Sequence, residues 1–176
     1  MSMTKKEFLK RVSGSGEDVL EGLFGLLEKR HISFCVIGGL AVNAYAEPVV
    51  SLDMDIVVAA DWIPDLVGAL PPTFKTKEFP NSLNLTSPNS DLRIQIQTDP
   101  RYQEFISRAR QRVVLGYRLP VARIEDVLQG KIWAAMDGTR RPSKRHKDLS
   151  DILRLLEVRK DLSSMVPAEL KKRMDY

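Results

Sequence analysis

The sequence predicts an α/β or α+β fold: a mixed sheet with helices packed against it and a helical C-terminal end. Three observations predict it. Short apolar runs bounded by turn residues, the mark of buried strands, recur from Ser33 to Leu119. Segments with apolar residues at helical spacing precede and separate the early runs. From Ile124 onward only helical spacing is found. The order helix, strand, helix, strand, helix, antiparallel strands, helices is that of a layered sheet protein.

Residues 3–12 are charged with apolar points at Phe8, Leu9 and Val12, which predicts a short amphipathic helix, broken by Ser13-Gly14-Ser15-Gly16. Glu17 to Arg30 carries Val19, Leu20, Leu23, Phe24, Leu26 and Leu27 at helical spacing, with an acidic start and a basic end that suit the helix dipole. His31 reads as a helix-end residue, since no ligand-type side chain pairs with it at metal-like spacing. Ser33 to Ile37 is the first strand, and Cys35 within it is a buried thiol with no second cysteine to bond. Gly38 and Gly39 end that strand and open a helix, Leu40 to Ala46. Leu52 to Ala59 is the second strand. Asp61 is the expected N-cap of a helix from Trp62 to Leu70, which Pro71-Pro72 ends. Leu83 to Thr86 and Leu92 to Gln97 are two more strands around a turn at Pro88 to Asp91. Asp99-Pro100 starts a helix, Arg101 to Arg110. Val113 to Leu119 is a short strand pair or an extended connection.

Helices then follow at Ile124 to Met136, with Val127, Leu128, Ile132, Ala135 and Met136 on the apolar side, and at Lys144 to Arg159, with a stripe of Leu149, Ile152, Leu153, Leu155 and Leu156. Pro167 opens a short terminal helix with an end expected to fray. The expected organisation is N-terminal helices (1–32) on a core (33–122) with a C-terminal helical segment (123–176), one compact domain overall.

With 176 residues, 43% of them apolar, the chain can bury a sizeable core. A formal charge of +4 suits an anionic partner such as a nucleotide or nucleic acid without requiring one. No apolar stretch approaches the length of a membrane span, and MSMTKKEFLK lacks the apolar core of a signal peptide. The expectation is a cytoplasmic protein with no membrane partner.

The chemistry concentrates in VIGGLAVNAYAEPVVSLDMDIVV, residues 36–58. A strand repeats every two residues, so Asp53 and Asp55 project from one face. Two carboxylates side by side repel, and are costly to bury unless a cation neutralises them. Mg²⁺ takes oxygen ligands and keeps substrate phosphates in its shell, so it fits such a pair. Glycines at Gly38 and Gly39 let phosphate approach free backbone N–H groups. The competing reading is a glycine turn followed by an edge strand with two solvated aspartates.

This stretch resembles the signature of the nucleotidyltransferase superfamily: apolar-Gly-Gly/Ser, a linker, then Asp-apolar-carboxylate-apolar. Here that is Ile37-Gly38-Gly39, thirteen linking residues, and Asp53-Met54-Asp55-Ile56. Leu128, Lys131 and Ala134, then Lys147-Asp148-Leu149 and Asp151-Ile152, resemble the tail of the AbiEii-type nucleotidyltransferase-like toxin branch. The resemblance spans about residues 33 to 157 and implies a nucleotidyltransferase-like mixed sheet.

It further implies catalytic, metal-binding Asp53 and Asp55, with nucleotide bound by Gly38, Gly39, Ser51, Lys131, Lys147, Asp148 and Asp151. The implied reaction moves a nucleoside monophosphate from an NTP, with Mg²⁺, to a hydroxyl of RNA, protein or a small molecule, and a cognate antitoxin is an implied partner. Read as residues alone, Asp148 and Asp151 share a helix face, and Lys131 and Lys147 are compact charges suited to phosphate; helix capping and surface ion pairing produce the same spacings. Arg140, Arg141, Lys144, Arg145, His146 and Lys147 form a basic run that fits nucleic acid, a triphosphate or a solvated loop equally.

Two departures matter. The superfamily's third carboxylate belongs on the strand Leu92–Gln97, where Gln95 stands at the expected position, or Gln97 if the register slips. Glutamine can ligate through its carbonyl but takes no proton at neutral pH. Asp91 and Asp99 flank that strand as weak substitutes. The related pattern P-R-x-T-x-D-x-D reads Pro48-Val49-Val50-Ser51-Leu52-Asp53-Met54-Asp55 here, so the hydroxyl is kept and the arginine is lost. The alternative to an enzyme is therefore a catalytically degenerate module that binds a nucleotide or partner; a third reading is a helical interaction protein with an incidental aspartate pair.

Overall fold

Residues 19–88 and 90–176 are described by the computed structural model. The helix expected over residues 3–12, and the start of the next at Glu17, lie outside the described residues. Val19–Lys29 (α1) buries Leu20, Leu23, Phe24 and Leu27 on one face. The helix closes through His31, whose φ of 55° lets the Ile32 N–H return to the Leu27 carbonyl at 2.9 Å. Phe34–Ile37 (β1) follows, all but its first residue buried.

The next helix, Gly38–Asn43 (α2), begins at the first glycine, two residues earlier than expected, and ends at Asn43. A loop leads to Asp53–Val58 (β2). Asp61 caps nothing: it lies in a 3₁₀ turn, Ala60–Trp62, that precedes Ile63–Ala69 (α3). Pro64 in the first turn already fixes the helical backbone there.

Lys75–Phe79 (β3) was not foreseen, because every residue in it is exposed and its lysines leave no apolar run to read. It is an edge strand beside Ser82–Ser87 (β4). Ser90–Gln97 (β5) starts earlier than expected and takes Asp91 out of the turn and into the strand. Asp99 does cap, accepting from the Arg101 N–H at 3.0 Å, but the helix expected after it is split into a 3₁₀ turn, Pro100–Tyr102, and Glu104–Arg108 (α4).

The strand pair around Val113 is a hairpin, Arg110–Val114 (β6) and Tyr117–Val121 (β7). Its turn residues, Leu115 and Gly116, both have positive φ, as the two-residue turn that matches strand twist requires. Ile124–Met136 (α5) keeps its expected bounds, although Met136 is exposed at its end. Pro142–Val158 (α6) begins earlier than expected and takes Lys144 to Lys147 of the basic run into its first turns, with Arg140 and Arg141 just before it. Ala168–Arg173 (α7) is docked through fully buried Leu170.

The described strands form one sheet in the order β3-β4-β5-β2-β1-β7-β6. β2 pairs antiparallel with β1 and parallel with β5; β7 pairs parallel with β1. One apolar core runs from Leu20 to Leu170 and joins sheet and helices. Tyr102, Phe105 and Trp133 stack edge-on and face-on to fix α4 against α5.

Cys35 sits wholly inside this core, and burial first, then the Asp126 charge, pushes its thiol up to about 12. In the native protein at pH 8 this thiol is expected to resist Ellman's reagent for hours, and to react as one equivalent once guanidinium unfolds the chain; rapid labelling of folded protein would show that the core opens there.

Candidate functional site

The site is built where β1 hands over to α2 and β2 runs alongside. Ile37 lies opposite Asp55 in the β1–β2 register. Gly38 follows with a φ of +68°, which an L side chain rarely adopts. Space forbids one as well: a Cβ there would come within 2.9 Å of Asp55 Cγ and nearer still to Oδ2. The glycine is thus the seat of the Asp55 carboxylate.

Asp53 and Asp55 share one face of β2, as strand periodicity requires, while Met54 and Ile56 fill the core behind. The loop before them is tied down. Asn43 at the end of α2 donates to the Val49 carbonyl at 2.6 Å and accepts from its N–H at 3.0 Å. Ser51 is buried, and its hydroxyl accepts from the Asp53 N–H at 3.3 Å. Val49, in the place of the absent arginine, is exposed.

The parallel β2–β5 register sets Gln95 directly opposite Asp55 and Arg93 opposite Asp53. Gln95, not Gln97, is thus the β5 residue beside Asp55, where the resemblance expects a third carboxylate. Neither flanking acid replaces it. Asp91 is exposed at the start of β5, and Asp99 is gripped by Arg101, Nη2 to Oδ2 at 2.6 Å, which holds its carboxyl below the usual range.

Asp53 is itself paired: Arg93 Nε lies 2.9 Å from Oδ1 and Lys144 Nζ lies 3.6 Å from Oδ2. Asp55 is pushed above the usual carboxylate range chiefly by burial; Lys131 opposes this and the Asp53 charge adds to it.

Behind the pair lies a cluster of buried charges. Lys131 from α5 reaches Asp148 Oδ1 at 3.0 Å and Asp151 Oδ2 at 2.7 Å, both on α6. Arg140 takes the other Asp148 oxygen at 2.7 Å, and Arg154 the other Asp151 oxygen at 2.8 Å. Burial works against the Lys131 ammonium, but Asp151 and then Asp148 outweigh it and hold its pKa above the ordinary lysine value. Arg154 also donates to Asn43 Oδ1 at 2.8 Å and to the Glu47 carbonyl, and so clamps the loop that enters β2.

These residues border three adjoining clefts. One, of about 530 Å³, gathers Gly39, Ser51, Asp53 and Asp55 with Lys144 and Lys147 at the start of α6. A second, of about 550 Å³, lies on the Gly38 side of Asp55 against Tyr102 and Phe105. The third, of about 1180 Å³, extends past Gln97 to Asp99, Arg101 and Trp133. Gln95 and Arg140 border all three.

Every site residue expected from the sequence thus lies in or next to one region, except that Asp151 is turned inward with its charge satisfied by Lys131 and Arg154. Among the described residues no group of three His, Cys, Asp or Glu is placed to hold a metal ion. Sequence reasoning missed Arg93, Asn43 and Arg154. Arg93 alone had a signal, because it has the strand parity of Gln95; the other two act through backbone loops that no pattern marks.

No protein-family model matches the chain, and no curated protein matches it in sequence. Solved structures do match in three dimensions. ANT(2'')-Ia in complex with adenylyl-2''-tobramycin superposes with a TM-score of 0.62 at 14% identity, over 88% of this chain and 96% of that one. An antigenic nucleotidyltransferase-like protein from Paracoccidioides brasiliensis gives 0.59 at 16% identity, over 98% and 91%. The chain has a nucleotidyltransferase fold. The lincosamide antibiotic adenylyltransferase LnuA, with lincomycin bound, matches at 0.54 and 14% identity, over 77% of this chain and 95% of that one. Within the nucleotidyltransferase fold seen here, the β1–α2 junction and β2 are the elements that bring Gly38, Asp53 and Asp55 together.

Two outcomes test this geometry. Lys131→Met leaves Asp148 and Asp151 short of a shared buried cation and is expected to lower unfolding stability by about 3 kcal/mol; adding Asp148→Asn and Asp151→Asn should recover part of it in urea titrations. Gly38→Ala is expected to cost about 1–2 kcal/mol from its left-handed backbone alone, and to displace the Asp55 carboxylate in a crystal structure.

Proposed function

We propose that the cleft holds the triphosphate of an NTP and that the protein transfers a nucleoside monophosphate to a hydroxyl acceptor. One observation carries this reading: Asp53 and Asp55 stand side by side in the same cleft as Gly39, Ser51, Lys144 and Lys147. The donor set fits Mg²⁺, because two carboxylates with a glutamine carbonyl beside them offer hard oxygen atoms only. Asp53 and Asp55 would hold the ion, which when bound supplies positive charge to the triphosphate oxygens.

The chain's own groups supply the rest. Gly39 leaves room for phosphate at the backbone, while Gly38 gives the Asp55 carboxylate its seat beside it. Lys144 and Lys147 place positive charge where charge builds during transfer. The acceptor enters from the wide cleft beyond Gln95 and Gln97. A small hydroxylic acceptor is favoured over RNA or a protein, since ANT(2'')-Ia is seen with adenylyl-2''-tobramycin and LnuA is a lincosamide adenylyltransferase. The toxin-branch reading, with its antitoxin partner, rests on Lys131 and the Lys147–Ile152 pattern; the contacts of Lys131, Asp148 and Asp151 make that pattern an internal brace.

A second reading has its own observation. Gln95 opposite Asp55 provides no proton acceptor for the attacking hydroxyl, which favours a module that binds a nucleotide without turnover. Titration calorimetry with each NTP, with and without Mg²⁺, is expected to show metal-dependent binding that Asp53→Asn weakens. Labelling of an acceptor from α-³²P-NTP should fall more than about a hundredfold in that variant. Binding without labelling, with labelling gained in Gln95→Asp, would select the second reading; full labelling by Asp53→Asn would sink the first.

A further inference from the structure

The proposed reaction gives Arg93 no task, yet Arg93 is the residue placed most directly on Asp53. The two lie opposite each other on adjacent parallel strands, so the contact is fixed by sheet register rather than by a loop. Arg93 Nε sits 2.9 Å from Oδ1, and Lys144 Nζ sits 3.6 Å from Oδ2. Each oxygen of Asp53 therefore carries a cation supplied by the chain. A divalent ion taking Asp53 as a ligand has to compete with both.

The competition is mild by construction. The Arg93 side chain is 61% exposed, so its guanidinium can move into water. Exposed ion pairs of this kind change an equilibrium by about fivefold or less. Asp55 is different. The cation that acts most strongly on it, Lys131, is committed to Asp148 and Asp151 at 3.0 and 2.7 Å. The two carboxylates thus present one guarded ligand and one open one.

We propose that Arg93 is a resident counter-ion for Asp53, holding that carboxylate until a divalent cation displaces it and so setting the cation concentration at which the site fills. This rests on the reading of Asp53 as a metal ligand. Arg93 is a positioning residue in this role: it touches the ligand, and leaves before the ion is seated. Its long, exposed side chain keeps the carboxylate placed when no ion is present, instead of letting it turn toward solvent.

The test is a Mn²⁺ titration without nucleotide, read from the free-ion electron paramagnetic resonance signal; Mn²⁺ favours the same oxygen ligands as Mg²⁺. Arg93→Ala is expected to bind Mn²⁺ two- to fivefold more tightly than wild type. In the Asp53→Asn background the same change should do nothing, and the gain should shrink at high salt. Thermal melting checks that the variants fold, and Arg93→Gln carries the same expectation if Arg93→Ala does not. Mn²⁺ binding that is unchanged or weakened in folded Arg93→Ala or Arg93→Gln, against clear wild-type binding, overturns this proposal alone. Absence of Mn²⁺ binding in both wild type and the Arg93 variants overturns it together with the metal reading of Asp53.

Discussion

The Lys131 ammonium, buried between Asp148 and Asp151, is the interaction on which the site depends. It joins α5 to α6, and through Arg154 it reaches Asn43 and the loop that delivers Asp53. Three cations meet two carboxylates in this cluster, and two of them, Lys131 and Arg140, also act on Asp55. A buried pair of this sort adds little net stability, because desolvation offsets the attraction. What it does supply is position. Each oxygen of the two aspartates has a cation within 3.0 Å, so neither helix can rotate without stranding a charge.

The carboxylate strand needs such bracing because its own location is electrostatically poor. Asp55 lies in a site that disfavours its ionised form, with a second carboxylate two residues away. Gly38 gives it space by having no side chain, and the backbone there adopts a conformation that suits glycine. The fold therefore holds an ionisable group where water would not. Perturbed carboxylates in clefts are a mark of chemistry or ligand binding, and here the perturbation comes mainly from burial.

The sheet's central strands were legible in the sequence because their signal is local. Apolar runs ended by Gly38-Gly39 and by Pro71-Pro72 bound β1 and the segment after β2 without reference to anything distant. Gln95 could be placed from strand parity once Asp53 and Asp55 were aligned with the signature. β3 could not be read, since an edge strand buries nothing and so writes no hydrophobic alternation. The N-cap at Asp61 failed because a 3₁₀ turn intervenes before α3. The pairing of Lys131 with Asp148 and Asp151 was beyond local reading: their spacing showed a shared helix face, but which partner that face meets is decided by how α5 and α6 pack.

The same distinction explains the cleft's charge. Counted along the chain, Arg140 to Lys147 is a basic run of unassigned purpose. Folded, it is divided. Arg140 is spent on Asp148, Lys144 leans on Asp53, and Lys147 borders the cleft. The run thus serves the interior and the cleft at once, because it occupies the approach to α6 and its first turns, whose later residues carry the buried aspartates. A basic stretch there compensates acids that lie one or two turns further along the helix and one strand away. That arrangement sets positive charge from the start of α6 beside the carboxylates of β2.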